Sequence, residues 1–163
     1  MSLIYGKDGY NKLQSGYETN VNDTLRRSYA VAQSEADGIL PGDLLITTSA
    51  TQTYARCKGA LTGTQKVAGI ALATNVLLDP QFPQSKTDVP FKPGVRGAAV
   101  IRGSIAVPLT GNAPAEGAAV YYDFTARAYT TEAGASSVNI ALPGFRFTGR
   151  TEGNVTEVYV QYI

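Results

Sequence analysis

The sequence of 163 residues contains no histidine, no tryptophan and a single cysteine. Histidine is the side chain whose ordinary pKa lies nearest to neutral, so it is the usual general base and the commonest metal ligand. The lone Cys57 has no partner for a disulfide within the chain, and no imidazole or second thiol can complete a metal or redox site around it. These absences favour a structural or binding protein over an enzyme, and we expect it to have no cofactor and no metal.

Charged residues are also scarce, at 17% of the chain, and 14 lysines and arginines nearly balance 13 aspartates and glutamates. A protein that binds nucleic acid normally shows a basic excess or stripe, whereas the only adjacent basic pair here is Arg26-Arg27. No apolar run approaches the ~20 residues that span a bilayer, and the amino end lacks the apolar core of a secretion signal. We therefore expect no nucleic-acid or membrane partner and a protein made and kept in a cytosol-like compartment.

Short β-type segments separated by glycine and proline turns run through the chain from residue 24 onward. The last of them alternates most clearly, with Val158, Val160 and Tyr162 on one face. No segment keeps a helical period over three turns, although the first is also compatible with a short helix. The turn signals predict an all-β fold, a compact sandwich or barrel of about nine to eleven short strands in which residues 24–163 form one domain. The predicted strands lie near residues 25–32, 44–48, 53–58, 67–72, 98–102, 104–108, 119–123, 127–130, 138–142, 145–147 and 155–162.

Residues 1–23 are polar, contain several tyrosines and glycines, and show no sustained period. Such a segment is either frayed or ordered by lying on a neighbouring molecule. Tyrosine suits the second role, because it combines a large contact area with a hydroxyl group. We interpret the segment as an extended N-terminal arm, with Tyr5, Tyr10 and Tyr17 as candidate contacts to a neighbouring molecule.

Residues 79–94 contain four of the eight prolines. Proline has no amide donor and a fixed φ, so this stretch is predicted to be a long, fairly stiff surface loop rather than an interior strand or a helix. Loops of this length in compact domains are often functional. Phe82 and Phe91 are therefore candidate contact residues, with the alternative that they only fasten the loop to its own domain.

A weak internal repeat is visible in the order of the predicted elements. A turn at residues 40–43 and another at residues 115–118 each lead into an apolar strand. Each is followed by a strand with threonine and tyrosine, at residues 53–56 and 127–130, and then by an apolar strand that contains glycine. Two related β-units packed together would produce this order, and so would turn preferences alone.

No group of residues has the spacing of a known catalytic site. The 13 acidic residues are dispersed, and most lie in or beside turns, where carboxylates usually accept hydrogen bonds from the backbone. A glycosidase needs two facing carboxylates, and a serine nucleophile here has neither a histidine base nor an S-x-x-K lysine. We predict that the protein is not an enzyme and has no small-molecule substrate.

Four segments resemble the decoration, or cement, proteins of tailed-bacteriophage capsids. They are residues 39–45 (ILPGDLL), 67–73 (VAGIALA), 96–103 (RGAAVIRG) and 115–123 (AEGAAVYYD), and the likeness covers residues 38–75 and 93–162. The resemblance implies an all-β domain that sits outside an icosahedral head and binds the major capsid protein. It also implies a homotrimer at threefold positions, no catalytic residues, and a place on the exterior of a virion assembled in the host cytoplasm.

Two other functions remain open at this stage. The first is another β-rich virion component, such as a tail, head-completion or fibre subunit. A carbohydrate-binding module is the second alternative, since exposed aromatic side chains form sugar platforms and Tyr121, Tyr122 and Tyr129 lie close together in the sequence. The simpler account of these tyrosines is that they alternate between core and solvent along their strands.

Overall fold

The computed structural model of the chain describes residues 13, 15–19, 23–73, 91–134 and 138–161, and within these ranges it contains nine β-strands and no α-helix. The prediction of an all-β fold is therefore confirmed. The strands are β1 (Leu25–Val31), β2 (Leu44–Thr47), β3 (Thr53–Arg56), β4 (Val67–Leu72), β5 (Arg96–Pro108), β6 (Ala119–Asp123), β7 (Ala128–Thr130), β8 (Asn139–Glu152) and β9 (Val155–Val160).

The strands form two five-membered rings that share one strand. In the first ring the order is β1-β3-β2-β4-β5, and β1 also pairs with β5, so the sheet closes into a small barrel. In the second ring the order is β5-β9-β8-β6-β7, and a parallel bridge from Leu109 to Tyr129 brings its ends together. Closure removes most free strand edges, which would otherwise pair with other chains.

The shared strand β5 is longer than the sequence predicts. Two strands meeting at Gly103 were expected, but residues 96–102 pair with the first ring and residues 103–108 with the second in one uninterrupted strand. Gly103 has φ of 116° and lies against Thr24, whose Cα would be 2.8 Å from an added Cβ. Glycine therefore lets the strand change partners without a break. The predicted strands at 138–142 and 145–147 are likewise one strand, β8.

The two rings have the same strand pairings in the same order. The pairs β2–β3, β2–β4 and β4–β5 of the first ring correspond to β6–β7, β6–β8 and β8–β9 of the second, all antiparallel. β1 corresponds to the second half of β5, since each runs antiparallel to one neighbour and parallel to another. The internal repeat in the sequence is thus present as two related β-units.

The repeat extends to single backbone positions. Gln52 and Arg127, which directly precede β3 and β7, are the two non-glycine residues with positive φ among those described, at 53° and 54°. Two residues further on, Tyr54 and Tyr129 are both buried and each accepts a backbone hydrogen bond at its carbonyl oxygen, from Ala32 and from Thr110. Such left-handed positions are uncommon without glycine, so their recurrence shows that the two rings share local geometry.

Alternation along the strands divides the interior into two apolar clusters. On β2, Leu44 and Ile46 point into a large cluster that also takes residues from the second ring, such as Val158. Leu45 between them points into a smaller cluster with Tyr29 and Phe91. Successive side chains of a strand face opposite sides, and here both sides of the first ring are covered.

Candidate binding surface

The described part of the N-terminal arm lies on its own chain. Glu18 forms an antiparallel bridge with Ile105 of β5. The amide of Gly16 donates to Ala106 O at 2.8 Å, and the amide of Ala106 donates to Tyr17 O at 2.9 Å. Residues 15–19 therefore cover one edge of β5, and this part of the arm does not match the expectation of a segment ordered only by a neighbour. The reason is physical, because an uncovered edge in the second ring would leave backbone groups unpaired.

Of the three tyrosines predicted as contacts in the arm, the structure describes one. Tyr17 is half-buried within the segment that covers β5. Leu13 is buried at 7% exposure, and its amide donates to Glu152 Oε2 at 2.8 Å. Tyr5 and Tyr10 lie outside the described residues, and their role as contacts remains a prediction.

The proline-rich loop is described only at its end. Phe82 lies outside the described residues, and its role as a contact remains a prediction. Phe91 is fully buried in the smaller apolar cluster, and its backbone pairs with Ile39 through hydrogen bonds of 2.7 and 3.0 Å. Phe91 thus fastens the end of the loop to its own domain, the alternative recognised in the sequence. It has no exposed surface with which to contact a partner, so the contact role predicted for Phe91 is corrected here.

A buried ion pair joins the two rings. Asp43, 3% exposed in the turn before β2, accepts a hydrogen bond of 3.0 Å from Arg127 Nε and one of 2.7 Å from the amide of Leu40. Burial raises the pKa of Asp43, and the Arg127 guanidinium opposes that rise. Burial alone would lower the pKa of Arg127, but the hydrogen bond to Asp43 holds it above its ordinary value. The pair is a structural joint, because each charge has its partner and the two side chains come from different rings.

Two of the three tyrosines considered as a sugar platform are in the core. Tyr122 and Tyr129 have no exposed surface, and their rings pack against each other with centroids 4.9 Å apart. The Tyr129 hydroxyl donates to Gly42 O at 3.0 Å and so adds a second tie between the rings. Tyr121 is half-buried on the opposite face of β6. These three tyrosines therefore do not form a flat exposed aromatic platform, and they give no support to the carbohydrate-binding alternative.

Two side chains with possible reactivity, Cys57 and Glu35, are buried. Cys57 is fully buried, and burial raises the pKa of its thiol, which disfavours the nucleophilic thiolate. Glu35, 2% exposed, pairs with Lys58 at 3.0 Å. No group of three metal-ligating side chains occurs among the described residues. In the same ranges no helix is long and apolar enough to cross a membrane.

An open groove of about 500 Å³ lies at the mouth of the first ring. Its walls are Arg27 on β1, the hairpin loop of residues 48–52, and the ends of β2 and β3 at Thr47 and Tyr54. Apart from Arg27 the lining is uncharged. The sequence signal for this groove is the Arg26-Arg27 pair together with a threonine-rich turn, and only the fold shows that the two are adjacent.

Comparison with known proteins identifies a family and a similar fold. Residues 5–161 match the family model described as structural cement protein (E217 gp24/Pam3 gp6). A chain from the structure described as the capsid of Myoviridae phage XM1 has a similar fold, with a TM-score of 0.67 and 17% sequence identity over 93% of this chain and 92% of that one. A comparison with curated proteins finds no match. Because the family model spans nearly the whole sequence, the chain belongs to the family of phage structural cement proteins.

Proposed function

We propose that this protein binds the outer surface of an icosahedral phage head and holds neighbouring subunits of the major capsid protein together. The observation that carries the proposal is the family match over residues 5–161, since structural cement proteins are virion components. The protein then acts by burying surface across two or more capsid subunits, with no catalytic step and no small-molecule substrate. Separation of those subunits would have to break its contacts as well.

The fold supports this role through its rigidity. The rings share β5, and the buried Asp43–Arg127 pair and the Tyr129–Gly42 hydrogen bond join them again elsewhere. A load applied to one ring therefore reaches the other through three separate connections. Many copies on one head act together, so a modest affinity per copy is sufficient.

We further propose that the protein acts as a homotrimer on a virion assembled in the host cytoplasm, with Tyr5, Tyr10, Tyr17 and Phe82 among its contacts to the capsid or to its own copies. The low charge of the chain, 17%, fits a surface that packs against other subunits. Native mass spectrometry of the purified protein and of protein released gently from heads measures this state. A monomer from both sources would contradict the trimer but would leave the binding to heads intact.

The test of the main proposal uses heads that lack this protein. Purified protein is added back, bound protein is quantified after sedimentation, and the heads are heated or shocked osmotically with and without it. We expect saturable binding to the head shell at a copy number comparable to that of the capsid protein, with better survival of decorated heads. Binding confined to tails, or equal survival of decorated and bare heads, would contradict the cementing role.

A further inference from the structure

The internal repeat shows which strand edge is left uncovered by the described residues. The second half of β5 corresponds to β1, because the two strands have the same register with their antiparallel neighbours. Pro108 pairs with Val155 as Ala30 pairs with Arg96, and Ile105 pairs with Val158 as Arg27 pairs with Ala99. In the second ring residues 15–19 cover the outer edge of this strand. Their hydrogen bonds use Ser104 O and both backbone groups of Ala106. The same positions on β1 are Arg26 and Ser28.

The corresponding edge of β1 is open in the described structure. The amide of Val31 donates to Val95 O on one side of the strand, whereas that of Ala30 donates to Gln52 O on the other. Since neighbouring residues alternate, Arg26 and Ser28 direct their backbone groups to the same side as Ala30. Within the described ranges β1 pairs with β3 on that side only at Ala30 and Val31. Arg26 and Ser28 are exposed, so their backbone groups are available to a further strand.

The groove adjoins this open edge at Arg27, and its charge indicates what fits. Arg27 lines it and is the position equivalent to Ile105, which faces Glu18 of the arm in the second ring. No ion pair of Arg27 with a described residue is present, whereas Arg26 and Arg102 beside it are paired with Glu18 and Asp23. A carboxylate opposite Arg27 would form a favourable cross-strand pair.

We propose that the open edge of β1 binds an extended, acidic segment of the capsid subunit, which adds an antiparallel strand as residues 15–19 do in the second ring. This inference rests on the proposed function and names the surface that carries it out. Backbone hydrogen bonds to Arg26 and Ser28 provide affinity, and a carboxylate against Arg27 fixes the register. The amino-terminal residues of a second copy fit less well, because Lys7 and Lys12 outnumber Asp8 in residues 1–12.

The experiment measures the affinity of variants for heads that lack the protein. Ser28→Pro removes the backbone amide that points away from β5 and leaves the amides that bond to β5 unchanged. An edge strand tolerates proline at such a position. Its matched control is Ser28→Ala, which keeps the amide. Arg27→Glu reverses the charge in the groove, and its control is Arg96→Glu, an exposed arginine on β5 that does not line the groove.

We expect Ser28→Pro and Arg27→Glu each to weaken binding about tenfold, the effect of losing one hydrogen bond or ion pair of roughly 1.4 kcal/mol. The two controls should stay within about twofold, and thermal unfolding shows whether each variant is folded. If Ser28→Pro does not fold, Arg27→Glu against Arg96→Glu decides. Equal binding by all folded variants would overturn the inference and leave the proposed function standing, whereas failure of the unaltered protein to bind would overturn the proposed function itself. Loss of self-association without loss of head binding would assign the edge to a second copy and overturn the choice of the capsid segment.

Discussion

The two rings share their strand pairings but use one equivalent position differently. Gln52 and Arg127 precede corresponding strands and have nearly the same φ, 53° and 54°. Gln52 stands at the open groove of the first ring, whereas Arg127 reaches across the molecule to the buried Asp43 of the first ring. The repeated backbone therefore supplies a scaffold, and the difference between the rings lies in which edges and turns are left free for a partner.

The largest effect that tests this comparison is expected at the joint between the rings. Arg127→Ala leaves the Asp43 carboxylate buried without its cation, and removal of one partner of a buried pair costs about 3–5 kcal/mol of unfolding free energy. The matched variant Gln52→Ala should change stability by no more than about 0.5 kcal/mol, as is usual for exposed positions. Both variants keep a residue with a side chain at a positive φ, so backbone strain is the same in each. Chemical denaturation measures both, and equal losses would show that the two positions are not used differently.

A smaller effect is expected from the segment that covers the second ring but has no counterpart on the first. Deletion of residues 2–20 removes the buried Leu13 and the hydrogen bonds to β5, and we expect a loss of about 2–4 kcal/mol in unfolding free energy. Deletion of residues 2–12 keeps that cover and should leave stability almost unchanged.

The shorter deletion then gives a clean test of the contacts proposed for Tyr5 and Tyr10. If it binds heads as tightly as the full chain, those two tyrosines are not contacts. If the protein without residues 2–20 is as stable as the full chain, residues 15–19 contribute nothing to the stability of the second ring.

The smallest effect at neutral pH is expected at the buried tyrosines, which occur in both rings and matter only in alkali. Burial raises the pKa of Tyr29 in the first ring and of Tyr122 and Tyr129 in the second. A tyrosine whose pKa is raised in the folded protein keeps its full contribution to stability at any pH below its unfolded pKa of about 10. Above that pH the unfolded chain loses the tyrosine proton first, so this contribution is lost as the pH rises. Each of the three should lower the unfolding free energy by about 1.4 kcal/mol per pH unit in that range.

Tyr29→Phe separates the contribution of the first ring. The hydroxyl of Tyr29 is buried and has no hydrogen-bond partner among the described residues. The unfolding free energy of the variant should therefore remain within about 1 kcal/mol of the original value at neutral pH. Above pH ~10 it should fall less steeply than that of the original protein, because the contribution of Tyr29 is gone. Denaturation at several pH values, with tyrosinate absorbance in parallel, measures both. An unchanged alkaline decline would show that Tyr29 ionises freely in the folded protein.

The sequence was sufficient to locate the strands, because local signals determine them. Alternation in β9 and the turn residues around Gly42 and Gly117 are visible within a few positions. Glycine is common both in turns and within strands that bend, so the sequence predicts a strand boundary at Gly103 although β5 continues through it. The closure of both rings depends on pairing between residues distant in the sequence, which no local pattern encodes.

The candidate surface was less predictable than the fold. An apolar residue such as Phe91 suits contact with a partner and contact with its own core equally well. Only its pairing with Ile39 in the structure shows that Phe91 packs in its own core. The sequence shows Arg27 only as half of a basic pair. Its place in the groove depends on the loop at residues 48–52, which the fold brings beside it. The class of function was available from the resemblance to cement proteins, which the family match confirms.

The sharing of β5 also determines how the molecule comes apart. Residues 96–102 pair within the first ring and residues 103–108 within the second, so each ring uses its own part of the shared strand. Cutting the polypeptide at Gly103 would leave two halves that each contain four complete strands and their part of β5, but it would divide the large apolar cluster to which both rings contribute. Although the architecture is duplicated, the shared core couples the two rings, and we expect them to unfold together in one transition.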